Sequence, residues 1–237
     1  MTYVMSDIHG CYEKYRAMLE AIGFGADDTL HTLGDVLDRG PDWFRILLDM
    51  AARPNVIGLL GNHELLAASV VPSLLRTMGR GEEQPLHEAE QAQMREWLQN
   101  GGKASILQFL QLSGEEMETA CRYLGTLFLY KEIAVQGRQF VLVHAGLEHF
   151  SPERPLAEYG PEDFLYCRPD PDAAYFTDRT LVFGHTPTRL LYQQIGEPGR
   201  PDRIFHRGTV TGIDCGCAYP GGRLGCLCLD TVEAFYV

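Results

Sequence analysis

The sequence predicts an α/β fold, and two observations support that prediction. In the first third of the chain, apolar segments of strand length alternate with segments whose apolar residues recur at helical spacing. Alternation of this kind is typical of parallel strands with helices packed on the outside of a sheet. After about residue 126 the helical pattern gives way to a succession of strands.

The first third of the chain predicts repeated strand–helix units. The strands are predicted at Thr2–Ser6, Thr29–Leu33 and Val56–Leu60. The first helix is predicted from one apolar stripe at helical spacing, formed by Tyr12, Tyr15, Met18, Leu19 and Ile22. Pro41 suits the first turn of the second helix, which is continued by Trp43, Ile46, Leu47 and Met50.

The middle of the chain predicts a helical insertion or cap over about residues 65–126. Within it, Ser113 and Glu116 have the spacing of a capping box, and the polar segment Gly79–Pro85 is predicted to be a loop. The last third predicts strands at Leu127–Val135, Phe140–Val143, Thr180–Phe183, Ile204–His206, Val210–Asp214, Leu224–Leu229 and Val232–Tyr236.

Length and composition describe an ordinary globular protein. A chain of 237 residues can bury one sizeable core, and we expect a single domain over residues 1–237 because its polar motifs are spread from residue 7 to residue 185. No apolar run is long enough to cross a bilayer, and no cleavable leader fits before the first strand. We therefore expect a cytoplasmic protein that does not bind membranes.

The net charge of −12 argues against a partner held by non-specific phosphate contacts, such as bulk DNA or RNA. It does not exclude a phosphate substrate, because bound divalent cations reverse the local field.

Cysteine pairs near the end of the chain raise the question of a zinc site. Their one-residue gaps, Cys215-x-Cys217 and Cys226-x-Cys228, fit a zinc knuckle poorly. We expect instead a hairpin of Val210–Cys215 and Leu224–Asp230, on which cysteines two apart share a face and pack as small apolar residues. No disulfide is expected in a reducing compartment.

Five short motifs join Asp, His or Asn to glycine. They are Ser6-Asp7-Ile8-His9-Gly10, Gly34-Asp35-Val36-Leu37-Asp38-Arg39-Gly40, Gly61-Asn62-His63-Glu64, His144-Ala145-Gly146 and Gly184-His185-Thr186. The first, fourth and fifth follow predicted strands, and strand ends hold side chains rigidly. Carboxylate, amide oxygen and imidazole are ligands for divalent Mn, Fe or Zn. In an extended backbone Asp7 and His9 point to the same side, and Asp35 is the single carboxylate able to bridge two metals.

The order of these motifs resembles that of the metallophosphoesterase superfamily, and within it the bacterial and bacteriophage lambda-type branch of the protein serine/threonine phosphatases. The resemblance runs from residue 2 to about residue 230, and Trp97–Gly102 is similar to a tryptophan and Asn-Gly-Gly element of that branch. It implies a four-layer fold in which two mixed β-sheets pack face to face with helices outside. It also implies two metal sites, one held by Asp7, His9 and Asp35, the other by Asp35, Asn62, His144 and His185.

The resemblance assigns the remaining roles around the metals. His63 is the expected general acid, and Asp38 orients its ring and raises its pKa. Arg39 is similar to a phosphate-clamping arginine; Arg168 resembles a second one, with a surface ion pair as the alternative interpretation. For Glu64 we expect a structural role at the start of a helix, where a carboxylate favours the helix dipole.

These features predict a dinuclear-metal phosphoesterase that directs a metal-bridging hydroxide in line at a phosphomonoester. The first hypothesis is a protein serine/threonine phosphatase acting on a phosphoprotein or a small phosphoester, with two manganese ions, or iron or zinc, as cofactors. The alternative is a diadenosine tetraphosphate hydrolase. That branch typically lacks the Asp-Arg pair seen at Asp38-Arg39 and has aspartate where this chain has Glu64. A third hypothesis is an inactive phosphate-binding module, although no expected ligand is missing.

Overall fold

Two five-stranded mixed sheets form the centre of the structure, a computed structural model that describes residues 1–79, 86–173, 175–200 and 202–237. The predicted loop at Gly79–Pro85 lies outside the described residues from position 80 onward. In order across the first sheet, the strands are β10 (Ala234–Tyr236), β9 (Gly225–Cys228), β1 (Thr2–Met5), β2 (Thr29–Thr32) and β3 (Val56–Gly58). The second sheet has the order β4 (Tyr130–Val135), β5 (Arg138–Val143), β6 (Arg179–Phe183), β8 (Val210–Gly212) and β7 (Phe205–Arg207).

The two sheets pack face to face, as the family resemblance implied. Strand residues alternate between faces, so Val4 and Leu227 of the first sheet meet Leu142 and Val182 of the second in one buried apolar cluster. The intervening strand residues face outward and are covered by helices. Tyr3 and Met5 belong to the apolar cluster between the first sheet and its helices. A separate cluster lies on the outer face of the second sheet. The predicted layered α/β fold is confirmed.

Helices follow the strands as the apolar spacing predicted. They are α1 (Tyr12–Ala21), α2 (Trp43–Ala51), α3 (Asn62–Gly79), α4 (Glu88–Gln99), α5 (Lys103–Phe109), α6 (Gly114–Leu124), α7 (Pro161–Leu165) and α8 (Thr188–Gln194), with a 3-10 turn at Leu156–Glu158. The capping box at Ser113 is present, because its side chain accepts from the Glu116 N–H and Glu116 accepts from the Ser113 N–H. Pro41 precedes α2 instead of opening it. None of the helices in the described ranges combines the length and apolar character needed to cross a membrane.

The strand pairing is as predicted at the start of the chain and differs at its end. β1, β2 and β3 are parallel neighbours. The predicted hairpin of Val210–Cys215 with Leu224–Asp230 is wrong, because β8 pairs with β6 and β7, whereas β9 pairs with β1 and β10 in the other sheet. The segment between them therefore crosses from one sheet to the other. Cys226 and Cys228 lie two apart on one buried strand as expected, whereas Cys215 and Cys217 lie beyond the end of β8 and not on a strand. The expected absence of zinc stays a prediction.

Helices α3 to α6 lie between β3 and β4 in the chain and cover the first sheet. Their side chains Val70, Trp97, Phe109 and Met117 belong to the same buried cluster as Met5 of β1. The predicted helical insertion thus shares its core with the first sheet. Its position matters for the site, because it carries Trp97 to the strand ends.

Candidate metal centre

The six predicted ligands all follow strands, and they meet at one end of the two sheets. Asp7 and His9 follow β1, Asp35 follows β2, and Asn62 follows β3. From the second sheet, His144 follows β5 and His185 follows β6. Parallel strands end at the same sheet edge, so the topology brings together residues that are up to 178 positions apart, such as Asp7 and His185.

Asp35 lies at the centre of the cluster. Its Oδ2 is 3.6 Å from His9 Nε2, and its Oδ1 is 3.5 Å from His144 Nε2. Two groups of ligand atoms compact enough to hold an ion share this residue: Asp35 with His9 and His63, and Asp35 with His144 and His185. A carboxylate that belongs to both groups has the placement that a bridging ligand requires.

Backbone carbonyls orient the imidazoles toward the cluster. His9 Nδ1 donates to the Leu37 carbonyl at 2.8 Å, and His144 Nδ1 donates to the Leu33 carbonyl at 2.6 Å. The Nε2 lone pairs are thereby left facing inward, with His144 Nε2 3.0 Å from Asn62 Oδ1. His9 Nε2 is buried and has no hydrogen-bond partner among the described residues. Such an orphaned acceptor fits a metal ion.

Burial keeps these histidines neutral. It lowers the pKa of His9 to about 3 and, together with the neighbouring His144, that of His185 to about 3. A neutral imidazole is the form that binds a cation. Burial has the opposite effect on Asp7, whose pKa it raises with help from Asp214 and Asp35. A bound cation would offset the cost of a buried Asp7 carboxylate.

Asp7 is held by its neighbours. Its Oδ2 accepts from Ser6 Oγ at 2.5 Å and from the His185 N–H at 2.9 Å, which leaves Oδ1 3.9 Å from His9 Nε2. The extended backbone expected between Asp7 and His9 is wrong, because φ is 53° at Asp7 and 46° at His9. Both side chains reach the cluster from left-handed backbone.

Left-handed backbone is concentrated at this site. Of the nine non-glycine residues with positive φ in the described ranges, six are predicted site residues: Asp7, His9, Asp35, Asp38, Arg39 and His185. Each such residue costs on the order of 1–3 kcal/mol, so the surrounding structure must impose it. Gly34 allows the close packing, since a Cβ at this glycine would lie 2.6 Å from the Gly61 backbone.

Glu64 imposes part of this backbone. Its buried carboxylate accepts from the N–H groups of Asp35 at 2.8 Å, Val36 at 2.8 Å, Leu37 at 3.1 Å and Gly61 at 2.9 Å. Glu64 therefore does more than favour the helix dipole, which was the role expected from the sequence. The side chain joins the second motif to the third and shapes the loop that presents Asp35.

His63 and Asp38 form a buried pair beside the cluster. His63 Nδ1 lies 2.5 Å from Asp38 Oδ2, and Trp97 Nε1 donates to the same oxygen at 2.8 Å. Burial by itself lowers the pKa of His63, but Asp35 and Asp38 outweigh it and raise that pKa above its ordinary value. His63 Nε2 is 3.6 Å from Asp35 Oδ2 and 3.3 Å from an Arg39 guanidinium nitrogen.

A cavity of about 260 Å³ opens above the cluster. It is lined by Arg39, Asn62, His63, Asn100, Arg168, His185, Pro187, Arg189, Leu190 and Tyr219. Arg39 and Arg168, which were predicted to bind phosphate, both line this cavity. Arg168 is exposed and has no acidic partner within 4 Å in the described parts of the chain, which argues against the ion-pair alternative.

Comparison with known proteins places these features in a family. The family model described as calcineurin-like phosphoesterase matches residues 2–211. The chain belongs to this family. Symmetrical bis(5'-nucleosyl)-tetraphosphatases of Salmonella typhimurium and Salmonella typhi are 36% identical to it over 100 residues, which is 41% of this chain and 36% of each relative. The match therefore spans about a third of the length of these curated relatives.

Solved structures share the fold of this calcineurin-like phosphoesterase. A putative diadenosine tetraphosphatase has a TM-score of 0.64 at 21% identity, covering 100% of this chain and 92% of the other. A protein serine/threonine phosphatase of Saccharomyces cerevisiae has a TM-score of 0.58 at 15% identity, covering 100% and 79%. At these identities the similarity establishes the fold.

Five residues that line the cavity of this phosphoesterase were not among the predicted site residues: Asn100, Pro187, Arg189, Leu190 and Tyr219. Of these, Asn100 lies in the Trp97–Gly102 element, to which the sequence analysis gave no role. Arg189 comes four residues after His185, so its position just beyond the fifth motif could have suggested it. Tyr219 lies between the two strands of the predicted hairpin, and nothing in the sequence places it beside Arg39.

Proposed function

We propose that this calcineurin-like phosphoesterase is a dinuclear-metal hydrolase of phosphoanhydrides whose substrate is a dinucleoside tetraphosphate. The observation that carries the proposal is the cavity above the cluster, into which the chain brings three arginines: Arg39, Arg168 and Arg189. A polyphosphate chain carries several negative phosphoryl groups, and guanidinium is the side chain that binds them in pairs of hydrogen bonds. The similarity to symmetrical tetraphosphatases supports the same substrate.

We propose the ligand assignment that the sequence predicted, in which Asp7, His9 and Asp35 would hold one ion and Asp35, Asn62, His144 and His185 would hold the other. Two bound divalent ions would supply an activated water and neutralise phosphoryl oxygens. Manganese is proposed first, with iron or zinc as alternatives. Glu64 contributes by fixing the backbone around Asp35.

Arg39 and Arg168 bind the non-bridging oxygens of the phosphoryl group that is attacked. Water oxygen forms the new bond to phosphorus while the bond to the bridging oxygen on the far side breaks. His63 donates its proton to that bridging oxygen from Nε2, because its Nδ1 is held by Asp38. Cleavage in the middle of the chain yields two nucleoside diphosphates.

A phosphoprotein phosphatase is the second candidate. It is favoured by the Asp38-Arg39 pair and by Glu64, since the tetraphosphatase branch is expected to lack that pair and to have aspartate at the latter position. Asp38 contacts His63 and so supports its role as a general acid. A phosphoprotein substrate needs such an acid, because a serine alkoxide is a poor leaving group that requires a proton.

A substrate panel separates the two candidates. Purified protein is assayed with manganese on diadenosine tetraphosphate, a phosphoserine peptide and p-nitrophenyl phosphate, and kcat/KM is compared. We expect the tetraphosphate to be preferred by at least tenfold and to give only ADP. Preference for the peptide would make the phosphoprotein phosphatase the correct function. An Asp35→Asn variant is the control that the measured rates belong to this site.

We also propose that residues 1–237 act as a single domain, because ligands from both sheets form one cluster and the helical insertion shares the core of the first sheet. A cytoplasmic location is proposed with it, as the compartment that holds the nucleotide substrate. Limited proteolysis that released a stable fragment would contradict the single domain.

A further inference from the structure

Arg189 extends the cationic cavity beyond the two predicted phosphate-binding arginines. It lies on α8, and its guanidinium carbon is 4.7 Å from the centre of the Tyr219 ring. Arg39 is on the same ring at 5.4 Å, and one of its guanidinium nitrogens lies 3.4 Å from the Tyr219 hydroxyl. Tyr219 therefore contacts both guanidinium groups, that of Arg39 beside His63 and that of Arg189.

Asp202 lies near the Arg189 guanidinium group but is too far away to accept a short hydrogen bond from it. The nearest contact to Asp202 is 3.7 Å, whereas a charge-assisted hydrogen bond is about 2.7–2.9 Å long. The Arg189 side chain is 40% exposed, and the residue lines the cavity. Its N–H groups are thus oriented by Asp202 and Tyr219 and remain available to an anion.

A phosphomonoester offers this third arginine no second phosphoryl group. It presents one phosphoryl group, for which Arg39 and Arg168 already provide two guanidinium groups. A phosphoanhydride carries a second phosphoryl group one bridging oxygen away. We propose that Arg189, positioned by Tyr219 and Asp202, binds this neighbouring phosphoryl group and so makes the site select phosphoanhydrides over phosphomonoesters. The inference rests on the proposed function and names the residue that determines its specificity.

The test compares two nucleotides that differ by one phosphoryl group. AMP and ADP are measured as competitive inhibitors of p-nitrophenyl phosphate hydrolysis, with manganese, in wild type, Arg189→Gln and Arg154→Gln. Arg154 is the matched control, because it lies 3.9 Å from a tyrosine ring centre, contacts Asp163 at 3.9 Å and is 36% exposed, outside the residues lining the cavity.

We expect wild type to bind ADP more tightly than AMP, and Arg189→Gln to reduce that advantage by about tenfold or more, as the loss of a hydrogen bond between charged groups implies. Arg154→Gln should retain the advantage. Equal weakening of AMP and ADP by Arg189→Gln, or no ADP advantage in wild type, would overturn the proposal. If wild type does not cleave diadenosine tetraphosphate but its ADP advantage depends on Arg189, the subsite stands and the proposed substrate is wrong.

Discussion

Replacing Glu64 by glutamine tests whether one buried carboxylate holds the loops of the predicted metal ligands in place. Each Glu64 oxygen accepts two backbone N–H groups, from Val36 and Leu37 at Oε1 and from Asp35 and Gly61 at Oε2. Glutamine keeps one accepting oxygen and directs an NH₂ group at the other pair of donors. Two hydrogen bonds to a charged group are then lost, at about 1.5–3 kcal/mol each, so the free energy of unfolding should fall by about 3–6 kcal/mol.

A loss of this size is a large share of the roughly 5–15 kcal/mol that stabilises a typical protein. The assay is urea unfolding in the presence of EDTA, where the midpoint should fall by about 1–2 M while the m-value stays unchanged. Glu116→Gln is the matched control, because Glu116 also accepts a backbone N–H, that of Ser113, but at the surface. Its midpoint should change little.

One outcome would refute the reasoning about Glu64. Burial, followed by the charge of Asp35, raises the pKa of Glu64 to about 7, and the N–H donors oppose that rise. If the carboxyl were neutral in the folded protein, glutamine would resemble it closely and the unfolding midpoint would match that of wild type. A wild-type midpoint would therefore show that the ionised carboxylate does not hold the loops.

Three further predictions concern the metal centre and the sheet. Asp35→Asn should abolish activity more thoroughly than Asn62→Ala, because only Asp35 belongs to both ligand groups. Elemental analysis should show bound metal reduced toward one ion or none. Two retained ions with full turnover would contradict this prediction. His63→Asn should keep both metals and lose on the order of 10²–10⁴-fold in kcat on a phosphoserine peptide. The loss on p-nitrophenyl phosphate should be far smaller, because its leaving group needs no proton. Equal losses on the two substrates would show that His63 is not the general acid. Burial, followed by the charge of Lys131, lowers the pKa of His31 from 6.5 to about 4. As the pH drops between these values only the unfolded chain gains the proton, so the free energy of unfolding should fall by on the order of 3 kcal/mol. His31→Leu should remove the contribution of His31 to that slope in pH-dependent unfolding, although His9 and His185 contribute in the same direction. An unchanged slope would assign it to other groups.

The features predicted best from the sequence depend on local patterns. The strand and helix of each early unit are encoded by apolar spacing within about ten residues, and Asp35 and His144 each follow closely on an apolar run, so the pattern by itself places both residues at strand ends. The capping box at Ser113 is equally local, since its two hydrogen bonds join residues three apart.

The features that could not be predicted depend on contacts between distant parts of the chain. The hairpin prediction assumed that strands near in sequence would pair, whereas β9 pairs with β1 at the opposite end of the chain, because Leu227 and Val4 fill the same space between the sheets. The contact of Arg39 with Tyr219 also joins residues 180 positions apart, and it exists because the segment after β8 crosses between the sheets over the cluster. That same crossing carries Tyr219 to the cavity, so the wrong hairpin and the missed cavity residue have one physical cause. A sequence pattern locates the predicted metal ligands, but the selectivity proposed here depends on a crossover that only the packed sheets define.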